Sequence, residues 1–416
     1  MSPLYYKVEA CRLCHSNNLE LAMPLNPTPI GDKYLPPERK DETRETIPLD
    51  LFLCGDCGHL QTGAIIEPDL IYNHYLSRPA AVNSVLSDAY RQYGEHVMER
   101  YSPGAGDLVV EMGSNDGAFL NFFKEHGISV LGIDPAQNLA EAATNIGVDT
   151  IATFFSEEVA GSILEDKGQA AVFIANFVFA NIDDVNDVVR GVHKVLAKDG
   201  VFMFETNNRV DIFQKFLIET INHEHASYFA VKPLRAFFAR HEMELIDIEH
   251  MPSKGGSLRC TVQHAGGSHA VQPSVQDLID KEEFLGVYST AFYQGCADKI
   301  RSVREQLGTQ AAAWREQGKT FAGYGTSIGA TILIYQLGIG EYLDFLVDDD
   351  RYRQGLVSPG YHIPVVGPER LSIDKPDYVM ILAPLYADPI MKKNQAYSDQ
   401  GGHFINVWPE VVVYPQ

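Results

Sequence analysis

The sequence is short of positive charge. Its 33 Lys and Arg stand against 55 Asp and Glu, a formal net charge of −22 over 416 residues. Repulsion alone disfavours nucleic acid and anionic membranes as partners. Long apolar runs are missing too: the longest, residues 170–180, falls well below the ~20 residues a bilayer-spanning helix needs. The opening MSPLYYKVEACR has no charged segment leading into an apolar one, so no signal peptide is read. Low-complexity tracts and internal repeats are absent. These absences leave a cytoplasmic, soluble chain as the default, and its length implies two to three domains.

What is present centres on residues 108–135, LVVEMGSNDGAFLNFFKEHGISVLGIDP. An apolar run of buried-strand type leads into a tight E-x-G-x-x-x-G turn made by Glu111, Gly113 and Gly117. Phe119, Leu120 and Phe123 share one face of the helix that follows, and a second strand ends on Asp134, 21 residues after Gly113. Strand, glycine turn, helix and terminal carboxylate make half of a doubly wound nucleoside site. A dinucleotide needs bare helix N–H groups for its pyrophosphate. Here the acids Glu111 and Asp116 would repel a pyrophosphate and suit a cation. S-adenosylmethionine, with a sulfonium, an ammonium and no phosphate, fits that requirement, and the spacing resembles motif I of class I methyltransferases. Candidate cofactor contacts are Glu111, Gly113, Asn115, Asp116, Gly117, Asp134, Pro135 and Asn176; the bland alternative is a plain βαβ unit in which Asp134 caps the next helix.

Before this stretch, Cys11-x-x-Cys14 and Cys54-x-x-Cys57 hold four of the six cysteines, with 39 residues between the pairs. Four thiolates satisfy tetrahedral zinc and leave no open position, so the expected metal is structural. The long spacer matters little, since doubling a loop costs only ~0.6 kcal/mol against zinc binding on the order of 10 kcal/mol. Disulfides compete only in an oxidising compartment. Residues 24–48 read as irregular and residues 68–101 as helical, a lid from which Tyr72 and Tyr75 could face substrate, a core or surface place being an equal alternative.

After the central turn, strands are expected near residues 148–150, at 170–176 ending on Asn176, and at 200–205 after an Asp199-Gly200 turn. An antiparallel pair at 245–248 and 257–264 closes the sheet. A helix over 210–221 precedes Asn222-His223-Glu224-His225, close to the cofactor edge. A histidine of pKa near 6.5 can take a proton at neutral pH, and an adjacent carboxylate can orient its ring. Zinc ligation, surface polarity and helix capping are the bland readings. A helical stretch over 276–317 then crosses to a second Rossmann-like unit, with Gly323-x-Gly325-x-x-x-Gly329 and a strand ending on Asp348. Those glycines suit a nucleotide or mere close packing equally. Arg353 and Tyr386 are candidate substrate contacts there.

In this order the parts resemble the zinc-containing sugar C-methyltransferases that act on dTDP-4-keto-deoxysugars in antibiotic and cell-surface pathways. The resemblance spans nearly the whole chain: the two C-x-x-C pairs, VVEMGSNDG, the HEH triplet, GGSLRC at residues 255–260, GYG, DDDRYRQG and PGYHIPV. It implies a class I methyltransferase (Rossmann-like) α/β domain at 71–270, an N-terminal zinc-binding domain at 1–70, and a C-terminal second Rossmann-like domain with its helical connector at 271–416. It further implies methyl transfer from S-adenosylmethionine to C3 of a nucleotide sugar lying between the first and last domains. His225 would be the base, Glu224 its partner, and Asn222 a third site residue; Tyr75, Asn181, Asn207, Lys254, Arg353 and Tyr386 would meet the substrate. Asn222 and Asn181 stand where the family tends to carry tyrosine and histidine, and asparagine shuttles no proton at neutral pH. Methylation of oxygen or nitrogen on another metabolite, or a non-catalytic binding homologue, therefore stays open. No oligomeric state is read, a monomer being the simplest case.

Overall fold

Alternation along the expected strands builds the centre of the molecule. In the computed structural model, which describes residues 4–43, 45–72 and 84–415, Leu108, Val110 and Met112 point to one core and Val109 to another. Phe173 and Ala175 divide from Val172 and Ile174 in the same way. A strand buried on both faces must be apolar throughout, which is why these runs read as continuous. The resulting sheet has seven strands in the order Met243–Met251, Ser257–His264, Leu196–Asn207, Ala170–Asn176, Leu108–Met112, Ser129–Ile133, Thr150–Ile151. Ser257–His264 runs antiparallel to both its neighbours, and the five strands beyond it are mutually parallel.

Three expected boundaries move. The Asp199-Gly200 turn is a bulge inside the strand Leu196–Asn207, because Leu196 already pairs with Ala170. Gly200 lies so near the next strand that a Cβ there would be 2.8 Å from the Ala170 carbonyl. The helix expected over 210–221 ends at Gln214. Phe216 turns left-handed at φ 57° and the Leu217 amide bonds back to the Ile212 carbonyl at 2.8 Å, a Schellman-type stop without glycine. The stretch 276–317 splits into Pro273–Phe284 and Ala291–Glu316. The first piece packs Val275 and Ile279 on the central sheet, the second packs Tyr293, Ile300 and Leu307 on the last unit.

The last unit is a six-stranded sheet, ordered Val365–Val366, Phe345–Val347, Phe321–Tyr324, Tyr378–Ile381, His403–Asn406, Val412–Tyr414, with only the final pair antiparallel. The N-terminal unit has an antiparallel sheet whose fourth strand, Ser227–Tyr228, comes from just beyond the histidine triplet and pairs with Gln61 and Leu60. Arg12 fastens this unit to the central domain through Asp183 at 2.9 Å. Among the described residues no helix is long and apolar enough to cross a membrane.

Phe179 is fully buried, its ring 4.7 Å from that of Phe204 and 5.2 Å from that of Phe229. Phe179→Ala is expected to cost about 3–5 kcal/mol in urea unfolding, the range for an aromatic deleted from a packed core. A loss below ~1 kcal/mol would show that this cluster does not hold the sheet.

Candidate active site

The glycine turn is built on backbone demands. Gly113 and Gly117 have φ 72° and 75°, a region closed to most side chains. A Cβ on Gly113 would press on Val178 at 3.2 Å and one on Gly117 on Ala143 at 3.0 Å. Gly117 thus also lets the turn pack closely against the next helix. Asp134 accepts the Asn115 amide on Oδ2 and the Ala136 amide on Oδ1, both at 2.9 Å, so its carboxylate is locked in place beside Pro135. Asn115 is itself left-handed at φ 53° and its side chain accepts the Asp116 amide at 2.8 Å. Glu111 is buried, and burial pushes its carboxyl up to about 8, the charges of Asp134 and Asp116 adding to the rise and the adjoining Asn176 amide opposing it. The turn thus gathers the acids Glu111, Asp116 and Asp134.

The histidine triplet divides its labour. His223 turns toward the N-terminal unit, its Nε2 3.2 Å from the Ile47 carbonyl. His225 bonds within its own turn, its Nδ1 2.8 Å from the Thr220 carbonyl. A carbonyl only accepts, so Nδ1 carries the hydrogen and Nε2 keeps its lone pair. Burial pushes His225 down to about 4, with the nearby Lys254 charge lowering it further and the Thr220 bond opposing. Glu224, expected to orient this ring, is not what does so: the Thr220 carbonyl takes Nδ1, and Glu224 acts instead on Lys254. Asn222 braces the turn, accepting the Glu224 amide at 2.9 Å and donating to the Thr220 carbonyl at 3.3 Å.

Lys254 presents much of its length to solvent, yet its ammonium sits 3.7 Å above the Phe177 ring. Burial there lowers its pKa, while Glu205 and Glu224 pull it up. Phe177 is left-handed at φ 53°, and its amide donates to the Glu205 carbonyl at 2.7 Å. The Glu205 carboxylate accepts from Ser253, from Ser257 at 2.6 Å and from Arg259 at 3.0 Å. Asn181 and Asn207 each bury a side-chain oxygen without a hydrogen-bond partner among the described residues. Phe177 and Thr220 carried no sequence signal: one is a lone aromatic after a strand, the other acts through its backbone.

Arg353, expected at the substrate, is instead paired with Asp32 at 2.5 Å and lies over the Tyr34 ring. That ion pair clamps the last unit to the N-terminal one and takes up the guanidinium. Tyr386 is 64% exposed on the turn Pro384–Tyr386. Tyr75 lies outside the described residues. Cys11, Cys14, Cys54 and Cys57 bring their sulfurs within 4.8 Å of one another, with Cys11–Cys57 and Cys14–Cys54 both at 3.6 Å. Zinc–sulfur bonds of about 2.3 Å set tetrahedral sulfurs roughly 3.8 Å apart, so the cluster fits zinc.

Three family models tile the chain: "Putative zinc binding domain" over residues 11–72, "Methyltransferase domain" over 85–248 and "C-methyltransferase C-terminal domain" over 252–409. The C-methyltransferase NovU of Streptomyces niveus is 32% identical over 411 residues, 99% of this chain and 98% of that protein. This chain belongs to the C-methyltransferase family. Two solved structures resemble it in part. An S-adenosylmethionine-dependent methyltransferase from Clostridium acetobutylicum is 13% identical over 45% of this chain and 98% of that one, TM-score 0.36. Magnesium protoporphyrin IX methyltransferase from Synechocystis is 11% identical over 44% and 88%, TM-score 0.34.

As a C-methyltransferase the chain uses S-adenosylmethionine, and its four thiolates hold a structural zinc. The acids of the glycine turn fit that donor, since a sulfonium and an ammonium answer a buried negative cluster. Zinc is expected at one ion per folded chain by elemental analysis, falling with Cys54→Ser; a ratio near zero on folded protein would refute the site. A bound cation favours ionised Glu111, so donor binding below pH 8 must expel its proton. Affinity is therefore expected to climb with pH up to about 8, by as much as ~10-fold per unit, and to lose this slope in Glu111→Gln. Calorimetry that finds wild-type affinity flat from about pH 6 to 9 would remove Glu111 from the donor site.

Proposed function

We propose that this C-methyltransferase acts on a ring carbon of a dTDP-linked 4-keto-deoxysugar, through an enolate generated by His225. The observation that carries the reading is an imidazole buried neutral, with Nδ1 pinned to the Thr220 carbonyl and a lysine charge acting on it. A ring carbon is not a nucleophile until the proton beside a carbonyl has gone. Nε2 of His225 is the one lone pair of that ring left free to take it. The oxygen of the enolate then carries the negative charge, and Lys254, its ammonium over the Phe177 ring, would be the cation that meets it. When bound, S-adenosylmethionine supplies an electrophilic methyl on sulfur.

The remaining residues have supporting parts in this reading. Glu111, Asp116 and Asp134 hold the donor, with Asn115, Gly113, Gly117 and Pro135 shaping the turn and Asn176 flanking it. Asn207 and Asn181, with their buried oxygens, offer acceptors to sugar hydroxyls along the same sheet edge. Glu224 tempers Lys254, and Asn222 steadies the turn that aims the base. Holding donor and carbanion in line at about 3–3.5 Å is chiefly a positioning task.

Incubation with S-adenosylmethionine and a panel of dTDP-4-keto-deoxysugars is expected to give a C-methylated sugar, located by NMR. His225→Asn is expected to lose ~10²–10⁴-fold in turnover while keeping donor affinity, the span usual for a general base. Because His225 is depressed, kcat/KM for the sugar at saturating donor should hold as pH falls past 6.5 and drop only near 4. A methyl found on oxygen, or undiminished turnover in His225→Asn, would sink the proposal.

A further inference from the structure

The second glycine motif of the sequence is not explained by methyl transfer. It opens the helix Ile328–Leu337 in the last unit, where a nucleotide phosphate would sit in a dinucleotide domain. The space before that helix is taken by protein. A Cβ on Gly329 would stand 2.9 Å from the Glu219 Cβ and 3.2 Å from the Glu219 carbonyl oxygen. Glu219 is the middle residue of the turn Ile218–Thr220, which belongs to the methyltransferase domain. The same turn ends on the carbonyl that holds His225.

Two further contacts tighten the grip. Trp408, buried in the last unit, donates its Nε1 hydrogen to the carbonyl of left-handed Phe216, just ahead of the turn. Behind the helix, a Cβ on Gly31 of the N-terminal unit would meet Ile328 Cγ2 at 2.9 Å, and Thr331 donates to the Gly31 carbonyl at 2.8 Å. The helix is therefore backed by one domain while its glycine end bears on another, and it has no room to retreat.

We propose that the last Rossmann-like unit is a positioning device for the base: Gly329 and Trp408 fix the turn Ile218–Thr220, and through the Thr220 carbonyl they set the place and enclosure of His225. This rests on the reading of His225 as the base. Neither residue touches substrate or donor in this scheme; they are positioning residues.

The ionisable groups on His225 and its turn are Lys254 from the loop ahead of Ser257–His264, Tyr228, whose ring centroid is 6.3 Å away, and buried Glu219 one residue before Thr220. None of these three is in the last unit, so a last-unit substitution that alters titration of the base reports movement of the turn, not a lost charge. Gly329→Ala and Trp408→Phe are to be compared with wild type by the pH dependence of kcat/KM for the sugar at saturating donor. Both are expected to lose ~10–100-fold, in line with the cost of misplacing a reacting group by about 1 Å. The acidic limb should move up from near pH 4 toward 6.5 as the enclosure loosens, with donor affinity and zinc content unchanged. Trp408→Phe keeps the ring and removes one N–H, so it stays readable if Gly329→Ala does not fold. An inactive His225→Asn alongside a wild-type acidic limb in a folded Trp408→Phe would overturn the positioning role alone. An active His225→Asn would overturn the base itself.

Discussion

The bond from Nδ1 of His225 to the Thr220 carbonyl is where the three units of this protein meet. A buried imidazole is useful only if one nitrogen is committed and the other left open, and a backbone carbonyl can make that commitment without titrating. Backbone cannot be aimed by one side chain, so the surrounding structure must do it. Thr220 also accepts the Asn222 amide at 3.3 Å, so one carbonyl fixes both the turn and the ring. Two residues after His225, the chain becomes an edge strand of the N-terminal sheet. Four residues before Thr220, it is held at Phe216 by the last unit.

This arrangement gives zinc a mechanical meaning. The metal closes the knuckles around Cys11 and Cys54, which the methyltransferase domain grips at several points. Arg240 donates to the Leu13 carbonyl at 2.6 Å, and Arg209, wholly buried, donates to the Gly58 carbonyl at 2.8 Å. A buried guanidinium calls for acceptors to its hydrogens. The knuckle supplies one acceptor and the Val287 carbonyl a second, while Nε finds none among the described residues. A closed thiolate shell thereby stiffens the segments on which Arg209 and Arg240 bear.

Much of this was legible in the chain. Apolar runs of strand length, a glycine turn between acids, and paired cysteines each dictate local geometry from the residues themselves, and the sheet formed where they said. The failures share a cause. The helix expected to reach residue 221 stops because Phe216 adopts a conformation that its own side chain disfavours and that contact with Trp408 sustains. Arg353 was expected at substrate, yet its partner Asp32 lies over 300 residues away in sequence. The fourth strand of the N-terminal sheet is two residues of another domain. Thr220 acts through an atom every residue possesses. Local patterns disclose what a segment can be; these features depend on what folds against it.

The two asparagines that depart from the resembled family can be weighed in the same terms. Asn222 uses both ends of its amide: Oδ1 accepts the Glu224 N–H and Nδ2 reaches the Thr220 carbonyl. A phenol there could not make both bonds to this backbone, since it offers a single oxygen on a rigid ring. Position 222 thus trades an acid–base group for a brace on the turn that carries His225. Asn181 differs, because its buried oxygen finds no protein hydrogen among the described residues, a state that costs about 1–3 kcal/mol unless something donates to it. A ligand hydroxyl at that edge of the sheet would satisfy it. The chemistry lost at these positions is proton transfer; the capacity to hold and orient an oxygen is retained.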